Sequence, residues 1–142
     1  MVRDRAKFLA RMRESAKLDR GISEFGEAMA ALVEGTPGAL GAVLSDAQGE
    51  PIDWARLTDR VDDLELQIFG AQLGVTMERV ERGTERFTMG RPSVLIEAGD
   101  CSLLSCPVGT EYLLTVILDR RANLARALES FHGLCRDMDG ML

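Results

Sequence analysis

The sequence predicts a single α+β domain, one antiparallel sheet covered by helices. Three observations carry that expectation. Apolar strand-like runs succeed one another across tight turns, which suits antiparallel pairing rather than long crossovers. Helical spacing of three and four residues recurs before, between and after those runs. The 142 residues, 46% hydrophobic and 28% charged, match one globular domain in size and composition.

From Asp4 to Leu18 the pattern is helical but thin, with Phe8, Leu9, Met12 and Ala16 among charges, and Gly21 is placed to end it. Ile22, Phe25, Met29, Leu32 and Val33 then mark an amphipathic helix that stops at Gly35-Thr36-Pro37-Gly38. Ala39 to Ser45 reads as a buried strand, Asp46 to Gly49 as a hairpin turn, and Pro51 to Trp54 as a short strand with proline at its start.

A long helix is predicted from about Asp59 to Arg82. Asp59, Asp62, Asp63 and Glu65 crowd its start, where the macrodipole favours anions, and Arg79 and Arg82 stand at its other end. It carries two apolar stripes: Val61, Leu64, Ile68, Ala71 and Val75, and Leu66, Phe69, Leu73, Met77 and Val80. Leu64 and Leu66 are about 200° apart, so the stripes lie on nearly opposite faces. One sheet covers one face, and the other wants a second partner. Gly70 and Gly74, four apart, each cost about 1 kcal/mol against alanine and so call for a packing reason.

The last third is mainly strand. Phe87 to Ala98 reads extended around Val94, Leu95 and Ile96, with Pro92 pointing to an edge or bulge. Gly99-Asp100 makes a two-residue turn into Cys101 to Pro107. Val108-Gly109-Thr110 turns again into Tyr112 to Leu118, the most apolar strand. Asp119 offers a cap, and Leu124, Ala127, Leu128, Phe131, Leu134, Cys135 and Met138 line one face of a final helix.

Charge narrows the function classes. Residues 1–20 hold Arg3, Arg5, Lys7, Arg11, Arg13, Lys17 and Arg20 against Asp4, Glu14 and Asp19, a net +4; the remaining 122 residues carry 10 basic and 20 acidic groups, a net −10. An acidic body repels a phosphate backbone, so no nucleic-acid partner is expected. The basic leader reads first as a solvated helix face, and its charge also suits an acidic partner, an anionic membrane or the body itself. No apolar stretch approaches the ~20 residues of a membrane span, and no secretory signal is visible. Three cysteines, Cys101, Cys106 and Cys135, without CxxC spacing, fit a reducing cytoplasm.

Catalytic constellations are missing. His132 is the only histidine. With Cys135 three residues on it permits a metal reading, but zinc needs about four ligands, and Cys101 and Cys106 point to opposite faces of a strand. The glycine-rich Gly35 to Gly41 precedes a strand and lacks GK[ST], unlike a phosphate loop. Asp62 and Asp63 splay as neighbours on a helix, Glu97 and Asp100 flank a hairpin, and Ser102 and Ser105 have no base nearby in sequence. We therefore expect no catalytic residue, cofactor or metal, and a protein that is not an enzyme.

Leu32, then Pro37-Gly38-Ala39-Leu40-Gly41-Ala42-Val43-Leu44-Ser45-Asp46 and Gly49-Glu50-Pro51-Ile52, resemble the opening of the roadblock/dynein light chain family. The small central residues of the long helix (Gly70, Ala71, Gly74) follow. Val94-Leu95-Ile96, Ser102-Leu103-Leu104, Pro107-Val108, Tyr112 to Leu118 and Ala122-Asn123-Leu124 complete the likeness over about residues 20–137. Within that family it is similar to small bacterial members that regulate Ras-like GTPases.

The resemblance implies an α/β/α sandwich of the profilin-like roadblock type. Its sheet has five antiparallel strands in the order 2-1-5-4-3, with one long helix on one face and two on the other. Residues 1–19 would form an extra basic N-terminal helix, 20–138 the domain and 139–142 a tail. It also implies a cytoplasmic homodimer, made by pairing the third strand and the long helix with their copies. Leu66, Phe69, Gly70, Leu73, Gly74, Met77 and Val94 are its expected contacts. A Ras-like small GTPase is the implied partner, met by Gln67, Gln72, Glu78 and Arg79. The function implied is a scaffold or GTPase activator in motility, polarity or motor complexes. The alternative is a small-molecule sensor or enzyme on a profilin- or PAS-like fold, which needs a pocket of converging polar groups.

Overall fold

A computed structural model describes residues 17–142. In chain order these form β1 (Leu18–Arg20), α1 (Glu24–Gly35), β2 (Ala39–Ser45), β3 (Pro51–Leu57), α2 (Asp63–Arg86), β4 (Val94–Glu97), β5 (Cys101–Val108), β6 (Tyr112–Asp119) and α3 (Leu124–Met141). The strands make one antiparallel sheet in the order β1-β3-β2-β6-β5-β4.

Strand alternation explains the long apolar runs. On β2, Ala42 and Leu44 face one helix layer and Val43 the other; on β6, Leu114, Val116 and Leu118 oppose Leu113 and Ile117. Both faces are dry, so the central strands are apolar without interruption. α1 and α3 share one face and pack on each other, while α2 alone covers the face of Val43, Leu103, Leu113 and Ile117.

The five-stranded expectation is corrected to six. The predicted strand order survives as β3-β2-β6-β5-β4, and β1 adds to its end, Leu18 opposite Leu57 and Arg20 opposite Ala55. The expected helix from Asp4 lies outside the described residues except at its end, where Leu18 is already strand. Pairing satisfies backbone groups that β3 would otherwise present at an open edge. Asp19 fixes the added strand by accepting from Trp54 Nε1 and Arg56 Nε, both at 3.1 Å. The sheet therefore starts before residue 20. At the other terminus, α3 runs through residues expected to be a tail, and Asp139 accepts from the Gly109 N–H at 2.6 Å.

The other boundaries shift modestly. β3 extends three residues past Trp54, and α2 starts at Asp63 rather than Asp59 and ends at Arg86. The segment before β4 is not strand: Thr88 and Gly90 have φ of 53° and 86°, outside the extended region. Asn123, not Asp119, caps α3, accepting from the Arg126 N–H. Cys106 on β5 and Cys135 on α3, expected as free thiols, form a disulfide with Cα atoms 7.0 Å apart. Cysteine usage therefore no longer argues for a reducing compartment. No helix among the described residues is long and apolar enough to cross a membrane.

Asp53 holds the start of α1. Its carboxylate is 3% exposed and accepts from Ser23 N and Trp54 N, each at 3.0 Å, and from the Ser23 hydroxyl. Ser23 in turn caps α1, accepting from Gly26 N. Gly21 and Gly26 leave the room this carboxylate occupies; a Cβ at Gly21 would collide with it. Asp53→Ala leaves these part-buried donors without their acceptor, so we expect a loss of about 1–3 kcal/mol in urea unfolding with an unchanged m-value.

Candidate interaction surface

The α2 helix rests on the sheet through Leu66, Gly70, Leu73 and Met77, all buried. Gly70 sets how closely it approaches: a Cβ there would lie 2.7 Å from Ser45 Oγ and 3.0 Å from Val43 Cγ1. The packing reason for this glycine is the chain's own sheet. Gly74 has open space around its Cα.

The opposite face is bare. Leu64, Ile68 and Val75 are 61%, 45% and 59% exposed. They span twelve residues, about 16 Å of helix. Ala71, also on that face, is partly roofed by the β2–β3 turn, since a Cβ on Gly49 would come within 3.0 Å of the Ala71 Cβ. Beyond the sheet's other end, β4 pairs with β5 on one side only, and its Leu95 is 40% exposed.

These positions correct the expected contact set. Leu66, Leu73 and Met77 fill the core between α2 and the sheet, and Phe69 is half-buried against it. None of the three buried side chains reaches the outer surface. Val94 is half-buried on the open edge, and Gly74 is half-buried. Both apolar stripes are visible in sequence, but not which one the sheet takes. The signal available was Gly70, which lies with the Leu66 stripe where the helix meets the Val43 and Ser45 side chains.

The four polar candidates do not converge. Gln67 donates to Asp63 at 3.2 Å, and Glu78 pairs with Arg82 at 2.6 Å. Gln72 and Arg79 are exposed.

Elsewhere the side chains with chemistry are occupied or isolated. Among the described residues no three His, Cys, Asp or Glu side chains are placed to hold a metal. His132 is half-buried with its ring 5.3 Å from that of Phe131, and Cys135 is taken by the disulfide. Burial, then the nearby Asp100 and Asp119 carboxylates, push the Cys101 thiol above the usual cysteine range. Ser105 donates to the Leu114 carbonyl at 3.1 Å and lies 3.3 Å from Thr115 Oγ1. A cleft of about 400 Å³ at the end of α2 is lined by Glu81, Thr84, Glu85, Thr88, Gly90, Arg91 and Pro92. Most of these are exposed, so the cleft is an open surface groove, unlike a small-molecule pocket that encloses its ligand.

One sheet with a lone long helix on one face and a helix pair on the other is the arrangement of Roadblock/LC7 domains. The Roadblock/LC7 domain from Streptomyces avermitilis superposes with a TM-score of 0.66 at 20% identity, over 78% of this chain and 91% of that one. Myxococcus xanthus MglB gives a TM-score of 0.72 at 16% identity, over 84% and 95%. An MglB structure with a tetrameric arrangement gives 0.72 at 15%, over 81% and 85%. No family model matches the sequence, and no curated protein does. At these identities the likeness establishes the Roadblock/LC7 fold.

Beneath Gly70, Ser45 Oγ is buried without a hydrogen-bond partner. Removing an orphaned hydroxyl relieves its desolvation cost. Ser45→Ala is expected to stabilise by roughly 0.5–1.5 kcal/mol in denaturant unfolding, while Ser105→Ala, which breaks made bonds, destabilises by about 1 kcal/mol.

Proposed function

We propose that the chain is a non-catalytic, homodimeric, cytoplasmic regulator that binds a Ras-like small GTPase. One observation carries the reading: a helix that covers its sheet alone and leaves Leu64, Ile68 and Val75 bare, in a sheet whose β4 edge is also open. Contiguous exposed apolar surface and unpaired strand edges are both hazards for a lone subunit in water. Twofold pairing of α2 with its copy and of β4 with its copy removes both with one symmetry operator. The MglB structure with a tetrameric arrangement supports self-association on this fold.

The outer flanks of α2, with Gln67 and Glu78 on one side and Gln72 and Arg79 towards the other, are then the platform for the GTPase. Activation of hydrolysis, or scaffolding in a motility, polarity or motor complex, is the role proposed for that platform by analogy with the MglB fold.

Sedimentation equilibrium at micromolar concentration tests the dimer, with a mass near twice 15.6 kDa expected. Charges at Ile68→Asp and Val75→Asp would have to be buried, so the double variant should dissociate at least about 100-fold more readily without losing its helical signal. Mixing with Ras-like GTPases loaded with GDP or a GTP analogue should give a complex and altered hydrolysis. A stable single subunit overturns the dimer, and the absence of any complex in either nucleotide state overturns the partner.

A further inference from the structure

Lys17 stands beside the place where β3 hands over to α2. The Thr58 N–H donates to the Lys17 carbonyl at 2.9 Å, and Leu18 pairs with Leu57. Lys17 is thus bonded to Thr58, four residues ahead of Asp62, the N-cap of α2.

That corner is acidic and its two arginines are engaged. Arg56 bonds Asp19 and the Val61 carbonyl, and Arg60 pairs with Asp119 at 2.6 Å. Among the described residues Asp59, Asp62 and Glu65 have no basic partner within ion-pair distance. Glu65 is exposed beside Leu64 and three residues before Ile68, so carboxylate and apolar surface adjoin.

The leader has the complementary composition. Residues 1–16 hold Arg3, Arg5, Lys7, Arg11 and Arg13 against Asp4 and Glu14, a net +3, with Phe8, Leu9 and Met12 interleaved. Nine residues of chain between Lys17 and Phe8 reach up to about 30 Å, whereas Ile68 is only about 9 Å along the helix axis from Asp62.

We propose that residues 1–16 lie across the first turns of α2's outer face. Their cations meet Asp59, Asp62 and Glu65, and Phe8, Leu9 and Met12 cover Leu64 and Ile68. The leader then competes with a second copy for this face and regulates its availability. The competition rests on the dimer reading; the contact itself does not.

Lys7 and Lys17 are the only lysines in the chain, which makes zero-length carbodiimide coupling of amine to carboxylate selective. In an equal mixture of ¹⁵N-labelled and unlabelled full chain, Lys7 should couple to Asp59, Asp62 or Glu65 within single-label chains. Deleting residues 2–16 should tighten self-association roughly tenfold, and Asp62→Lys with Glu65→Lys in the full chain should do the same. Added salt should tighten the full chain and leave the deletion unmoved, because screening weakens only the leader's contact. Lys7 coupling to other carboxylates, or only between differently labelled chains, overturns the proposal. So does a dimer whose affinity the deletion leaves unchanged. Should both forms stay monomeric while Lys7 still couples to these three carboxylates, the dimer reading fails and the leader contact stands.

Discussion

A sheet whose central strands are apolar on both faces must be covered twice, and everything else about this molecule follows from how that is done. On one side α1 and α3 share the task and bury part of each other. On the other, α2 works alone. A single helix is about 10 Å across, so among the described residues only the β2–β3 turn, at Ala71, reaches the side chains opposite its contact stripe. Leu64, Ile68 and Val75 are left bare by that geometry.

The closeness of α2 to the sheet depends on one missing side chain. Gly70 lets the helix settle onto Val43 and Ser45, and the accommodation leaves Ser45 Oγ without a partner. On the opposite side of the sheet the joints are polar. Asp53 gathers the start of α1, and Asp139 ties the end of α3 to the β5–β6 turn. On α2's own side, Asp19 stitches β1 to β3 through Trp54 and Arg56. These carboxylates use geometry rather than bulk to set where each element begins and ends.

Charge is distributed unevenly along the chain: residues 1–16 are basic, and α2 starts among Asp59, Asp62, Asp63 and Glu65. Leu64 and Ile68 set exposed apolar surface next to those carboxylates.

Local chemistry in the sequence determined the elements. Apolar runs bounded by turns specified β2, β5 and β6, Asp46 to Gly49 marked the β2–β3 hairpin, and the three-and-four spacing marked α1, α2 and α3, all present within a few residues. The two stripes of α2 were equally plain. What needed the tertiary structure was every choice between equals. Leu18–Arg20 became strand because β3 offered an edge to pair with, a long-range gain that outweighs weak helix propensity. The Leu66 stripe turned inward and the Leu64 stripe outward because Gly70 lies with the first, and only there does the backbone come close enough to the sheet. Cys106 and Cys135, 29 positions apart, met because one strand and one helix share a core. Periodicity along a chain records that a face exists; only the packed neighbours record which way it points.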